Sequence, residues 1–259
     1  DHRDLHSFPT RRSSDLAGEY FLGLLERLAV FGVPIISFFA AGRLFSKETS
    51  SSSDWLVGEG NDIKPWFGQS RMARFCFWIV VLLTFVVLNV EVFYSIGTHF
   101  EPFMRPAMTL VWIALGAVLF REMLANRETI ATVFFWILIF ALVVKVFLFD
   151  IFYWDLGWDF AYSFTRPLED VGMRLLNYGS VAAFFLFVWQ LLFRRTNRDR
   201  LARAFGYLAL GSVFIYSSLE VWSGLSEFVP GFRRGGISIF WAVFALALLL
   251  TGISKSKAV

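Results

Sequence analysis

Seven stretches of this chain are 18–20 residues long, strongly apolar and nearly free of charge: 28–45, 75–94, 106–124, 130–149, 175–193, 201–219 and 236–253. That length is what an α-helix needs to cross a hydrocarbon layer of about 30 Å. The blocks are continuous and not alternating, which points to helices and away from the strands of a membrane barrel. Hydrophobic residues make up 57% of the chain and the mean hydropathy is +0.60. Soluble domains usually hold about 45–50%, so lipid must solvate much of this surface. The expected fold is all-α: a polytopic integral membrane protein with about seven transmembrane helices.

Several function classes lose support at once. Outside residues 1–16, 21 basic residues stand against 18 acidic ones, and they lie beside apolar blocks with no continuous basic patch, so no nucleic-acid partner is expected. Cys76 and His99 are alone of their kinds in that region, which leaves neither an internal disulfide nor a metal-ligand spacing. No phosphate-binding loop, dinucleotide fingerprint, nucleophile elbow or zinc-protease signature occurs, so no cofactor and no metal are expected. Catalytic residues are unknown from these patterns.

The segment HSFPTRRSSDL at 6–16 resembles a conceptual translation of a short-read sequencing adapter. Residues 1–16 are therefore expected to be an artefactual leader outside the native fold. Residues 17–259 are expected to be a fragment of a larger multi-helix transmembrane domain.

Basic residues set the expected orientation. Fourteen fall on one side of the spans, among them Arg43, Lys47, Arg71, Arg121, Arg194, Arg200 and Lys255. Seven fall on the other: Arg27, Arg105, Lys145, Arg166, Arg174, Arg233 and Arg234. The richer side is expected to be cytoplasmic, placing the start of the chain outside and its end inside. The Ser run at 50–53 then lies in a cytoplasmic connector. The segments SIGTHFEPFMR, DIFYWDLGWDFAYSFTRPLEDVGMR and EVWSGLSEFVPGFRR become outer-leaflet loops rich in aromatic and acidic residues.

The chain also repeats. Residues 71–130 align with 200–259 at a constant shift of 129. Arg71, Arg74, Phe85, Glu91, Arg105 and Trp112 meet Arg200, Arg203, Phe214, Glu220, Arg234 and Trp241. A weaker match links 27–32 to 174–179. The unit is four helices, and because four is even, successive units enter the membrane in the same direction. Parallel four-helix repeats are the expectation.

The stretches LNVEVFYS, RPAMTLVWIALGAVLF, ALVVKVFLFDI and RLLNYGS resemble the bacterial predicted membrane-protein family DUF2339, a domain of unknown function, over most of residues 70–259. The resemblance implies a bacterial inner-membrane location and no activity. It also implies that Glu91, Lys145, Asp150 and Arg174, with Glu220 in the second copy, are recurring polar positions.

These residues, with Arg105 and Arg234, form an expected outer-leaflet polar cluster: Glu91, Arg105, Lys145, Asp150, Arg174, Glu220 and Arg234. Ionisable groups at membrane depth are costly and usually pair or line a wet cavity. The expected pairs are Glu91 with Arg105 or Lys145, and Glu220 with Arg234. Two readings of the cluster stand side by side: helix-locking ion pairs and interfacial anchors, or a pocket for an anionic or sugar-bearing lipid or an envelope precursor. The acidic loop with Asp150, Asp155, Asp159, Glu169 and Asp170 is similar to the outer loops of lipid-linked sugar transferases, but its carboxylates follow no fixed spacing. Three functions follow as expectations: a non-catalytic or transport-related envelope protein, a membrane-embedded transferase acting on a lipid-linked substrate at the outer face, or a membrane scaffold. The expected partners are membrane lipid and a lipid-linked or envelope ligand, with the oligomeric state open.

Overall fold

The computed structural model describes residues 13–50, 71–97, 100–126, 129–154, 161–162, 167–195 and 199–256. The expectations for Ser51–Ser53 of the serine run, His99, Asp155 and Asp159, and for leader residues 1–12, fall outside the described residues. The elements are α1 (Ser13–Ser50), α2 (Arg71–Glu91), α3 (Glu101–Asn126), α4 (Thr129–Val144), α5 (Pro167–Arg195), α6 (Asp199–Phe228) and α7 (Arg233–Ser256). No strand occurs among the described residues. A π-helical turn, Val92–Ile96, extends α2, and another, Lys145–Asp150, extends α4 and is followed by a last turn at Ile151–Tyr153. The 3-10 turn Pro230–Phe232 opens α7.

The seven spans are longer than their apolar cores. They run Phe21–Ser46, Arg71–Ile96, Glu101–Ala125, Ile130–Tyr153, Glu169–Arg194, Arg200–Phe228 and Pro230–Ile253. Helix hydrogen bonding continues past the apolar block at both ends, since polar end residues keep their backbone bonds internal until the chain reaches the headgroups. This is an all-α polytopic membrane protein.

The chain divides into two compact units, residues 1–88 and 89–259. The first contains α1 and most of α2. Side chains on α1 from Phe21 onward are largely exposed, with Phe21, Leu22, Val30, Val33 and Ile36 each more than half open, as lipid-facing positions are.

In the second unit, α5 is the central helix. It packs against α6 along most of its length and against α3, while α3 packs against α4 and α6 against α7. Phe135, Phe185 and Phe205 are fully buried and join α4, α5 and α6, with ring centroids 5.8–6.0 Å apart. Phe120 of α3 joins them at 5.5 Å from Phe135. Aromatic pairs at such separations contribute about 0.5–1.5 kcal/mol each beyond area burial. In lipid, where tails are as apolar as the side chains, this shape-matched packing is a main source of helix association.

Gly116 allows α3 and α5 to approach. A Cβ built there would lie 2.9 Å from the Phe184 ring and 3.4 Å from Leu138. Gly211 on α6 has open space around it. Gly116→Leu should destabilise the bundle by about 1–3 kcal/mol through overpacking. Gly211→Leu should leave the thermal midpoint in detergent nearly unchanged. Equal midpoints for the two variants would show that the α3–α5 contact is not close.

Candidate functional site

Because the spans of the second unit alternate in direction, the ends Ile96 and Glu101, Tyr153 and Glu169, and Phe228 and Pro230 lie toward one face. Counting inward from that face gives a common depth. Thr109 is eight residues from Glu101, Lys145 eight from Tyr153, Asn177 eight from Glu169 and Glu220 eight from Phe228. At 1.5 Å per residue each Cα lies about 12 Å inside its span. Four helices thus bring one polar residue each to the same level, and the side chains around that level form two hydrogen-bonded clusters, here called the two halves of a polar ring.

Asp150 anchors one half of the ring. Its side chain is fully buried. Lys145 Nζ donates to Asp150 Oδ2 at 2.7 Å and to Thr109 Oγ1 at 2.7 Å, and Thr109 donates onward to the Arg105 carbonyl. Asn177 Nδ2 donates to Asp150 Oδ2 at 3.0 Å. Arg105 Nη1 lies 3.8 Å from Asp150 Oδ1, and its guanidinium stacks 4.1 Å from the Tyr153 ring centroid. The π turn explains the local geometry. In an α-helix, residue i+5 is rotated about 140° from residue i; the wider turn closes that angle and brings Lys145 and Asp150 to one face. π turns inside helices are frequent at functional sites. The Tyr178 hydroxyl also reaches this turn, donating to the Val146 carbonyl at 3.4 Å.

Arg174 anchors the other half and is 1% exposed. It forks onto Glu220, with Nε to Oε1 at 2.6 Å and Nη2 to Oε2 at 3.2 Å. Its guanidinium sits 4.2 Å from the Tyr162 ring centroid. The Tyr162 backbone N–H donates to Ser223 Oγ at 2.8 Å, which ties Tyr162 to α6. Burial pushes the Tyr162 phenol up to about 12, so it remains a neutral hydroxyl donor at physiological pH. Tyr178 stacks on Tyr216 at 5.3 Å and bridges the two halves from α5 to α6.

Five of the seven expected site residues are here: Arg105, Lys145, Asp150, Arg174 and Glu220. Their pairing differs from expectation. Glu220 meets Arg174, not Arg234, because α5 and α6 share the longest interface, whereas Arg234 stands exposed at the start of α7. Arg105 and Lys145 both turn to Asp150 instead of Glu91. The π turn is the cause for Lys145, and Asp150 proves to be a buried member of the ring, not a flanking end residue. Glu91 lies on α2 and accepts from Ser95 Oγ at 3.3 Å.

Thr109, Tyr162, Asn177, Tyr178, Tyr216 and Ser223 were not anticipated. Asn177 and Tyr178 sit within RLLNYGS, and an amide inside an otherwise apolar span was the available signal. Glu169 and Asp170 open α5 in its first turn, where carboxylates suit the helix dipole. Among the described residues, no group of three or more His, Cys, Asp or Glu could hold a metal ion. An open groove of about 440 Å³ between α6 and α7, lined by Phe214, Trp241, Phe244 and Leu248, is almost wholly apolar and brings no reactive group.

Two hydrogen bonds recur at the shift of 129. Trp112 Nε1 donates to Asn89 Oδ1 at 3.1 Å, and Trp241 Nε1 donates to Ser218 Oγ at 3.1 Å. Each polar acceptor sits two residues before the glutamate of its copy.

The fold and the ring define a class: a multi-pass membrane protein with a charge-bearing polar layer inside its helix bundle. No family model, curated protein or solved structure matches the chain.

The Arg174–Glu220 fork should be a dominant stabilising pair. Arg174→Met or Glu220→Leu alone strands a charge at membrane depth and should cost roughly 3–5 kcal/mol. The double variant should recover much of that loss. Thermal unfolding in one detergent measures the cycle, and strictly additive losses would show that the two residues do not interact.

Proposed function

We propose that this is a non-catalytic, transport-related protein of the bacterial inner membrane, and that the polar ring is its functional locus. One observation carries the reading: the ring's buried carboxylates are neutralised by basic partners inside the bundle. Asp150 is held by Lys145 with Arg105 close by, and Glu220 by Arg174. A transferase at this site would need a carboxylate without a basic partner to take a proton or hold a metal, and each of these two is ion-paired. A pure scaffold has no use for three cations and two anions placed where each is costly. A polar layer about a third of the way down the spans suits a protein that receives something polar from one side of the membrane.

The resemblance to DUF2339 belongs to this proposal and supports the inner-membrane location. So does the repeat, for which the paired Trp112–Asn89 and Trp241–Ser218 hydrogen bonds are the supporting geometry. The orientation is part of it as well. Seven basic residues fall on the sparser side against fourteen opposite, and Lys145 and Arg174, two of the seven, are held by carboxylates inside the ring, which widens the asymmetry. The ring then faces outward.

Two measurements test this. In a Cys76→Ser background, Ser52→Cys should resist an impermeant thiol reagent added to intact cells and Gly231→Cys should react. The reverse pattern would invert the orientation. In cells lacking the native gene, a ring-neutral variant, Lys145→Met with Asp150→Leu, should assemble in the membrane yet fail to restore resistance to envelope-active detergents. Full rescue by that variant would reduce the ring to a structural role.

A further inference from the structure

The ring leaves several of its own polar atoms without a protein partner. Asp150 Oδ1, Asn177 Oδ1, Arg105 Nε and Tyr162 Oη are all buried and make no hydrogen bond within the protein. Asp150, Asn177 and Tyr162 are each at least 97% buried as whole residues. The first three belong to one contact set: Asn177 donates to the other oxygen of Asp150, and Arg105 approaches Asp150 Oδ1. Tyr162 closes the far edge under Arg174. Buried polar groups in proteins are normally satisfied, so a cluster of exceptions needs a reason.

The kind of atom decides the ligand. Two are acceptors, Asp150 Oδ1 and Asn177 Oδ1. Two are donors, Arg105 Nε–H and the Tyr162 hydroxyl, which can also accept. A cation would satisfy the acceptors and leave Arg105 worse off. An anion would satisfy the donors and face Asp150. Charge gives little preference either way: the ring's three cations, Arg105, Lys145 and Arg174, face its two anions, Asp150 and Glu220, and a third carboxylate, Glu101, stands at the span end, where it accepts from the Tyr153 hydroxyl. A hydroxyl group both donates and accepts, and a ligand with two adjacent hydroxyls meets acceptors and donors together.

We propose that the Asp150–Asn177–Arg105 face of the ring binds the hydroxyls of a neutral vicinal diol, of the kind carried by a glycerol-type lipid headgroup or a free polyol. Arg105 is the ring's gate. Its side chain is 29% exposed, against 0% for Asp150 and 11% for Lys145. It is therefore the group that a ligand arriving from the headgroup level meets first. The proposal deepens the reading of the ring as a functional locus and rests on it.

Phosphatidylglycerol and phosphatidylmethanol test this directly. They carry the same anionic phosphodiester, and only the first has hydroxyls. Native mass spectrometry of the purified chain should show retention of phosphatidylglycerol on the order of tenfold above phosphatidylmethanol, a difference that one good hydrogen-bonding group supplies. Asn177→Leu should abolish the preference. Arg105→Lys provides the second variant in case Asn177→Leu does not fold: it keeps the charge beside Asp150, drops the Nε donor, and should lower the preference with the thermal midpoint held.

Added glycerol separates the two sources. If glycerol displaces phosphatidylglycerol and is retained in phosphatidylmethanol, the ligand is a free polyol; if it does neither, the ligand is the lipid headgroup. Both results support diol recognition. Equal retention of the two lipids with no retained glycerol overturns it, as does a preference that survives both variants. Because binding is read on purified protein, its failure is separable from a failure of the detergent-resistance rescue.

Discussion

A charge inside a bilayer must be answered by another charge from the same bundle. Water does not reach it cheaply, and a carboxylate or guanidinium left alone costs several kcal/mol even after relaxation. Arg174, at 1% exposure, can exist at its depth only because Glu220 and Tyr162 are there. Asp150 can exist only because Lys145, Asn177 and Arg105 are. These requirements dictate which helices may be neighbours. Arg174 needs α5 beside α6; Lys145, through Thr109, needs α4 beside α3; Asn177 needs α5 beside the end of α4. Apolar packing alone would permit many arrangements of such helices, and the polar ring selects among them.

The bundle consequently has two layers with different jobs. Near one face, Phe120, Phe135, Phe185 and Phe205 interlock by shape. Toward the other, the ring interlocks by charge and hydrogen bonds. The first is tolerant, since aromatic rings shift and repack. The second is exacting, because a misplaced helix leaves an ion unpaired. A ring built only for rigidity would be expected to satisfy all of its atoms. That Asp150 Oδ1, Asn177 Oδ1 and Arg105 Nε are left over is why the ring is read as more than a fastener.

Length and continuity made the seven spans readable in advance, since lipid imposes the same demand on any helix that crosses it. The ring was only half readable. Its charged members stood out because ionisable residues are rare beside apolar blocks. Their partners did not, because pairing depends on which helices touch, and nothing local in the sequence reports that. The shift of 129 pairs Glu220 with Arg234 as a second copy of Glu91 with Arg105, whereas its partner comes from α5. Lys145 and Asp150 are five apart, a spacing that an α-helix would put on different faces; only the π turn reconciles them. Thr109 and Asn177 were harder to single out for another reason. A single neutral polar residue in an apolar span has no periodicity, and many such residues only bond back to their own helix, as Ser212 does to Leu208.

The two copies at a shift of 129 bear on how such a ring arises. The glutamates Glu91 and Glu220, each two residues beyond a polar acceptor for a tryptophan, occupy the same place in their hairpins. In the second segment the helix before the hairpin is α5, and it brings Arg174 to Glu220. The other cluster takes Arg105 and Thr109 from the first segment, and Lys145 and Asp150 from the span that follows it, which lies outside 71–130 and 200–259 apart from Ile130. Each cluster therefore joins side chains of an aligned hairpin to side chains of a helix between the two hairpins. The polar contacts tie the like parts of the chain to the unlike ones, which apolar packing alone would not specify.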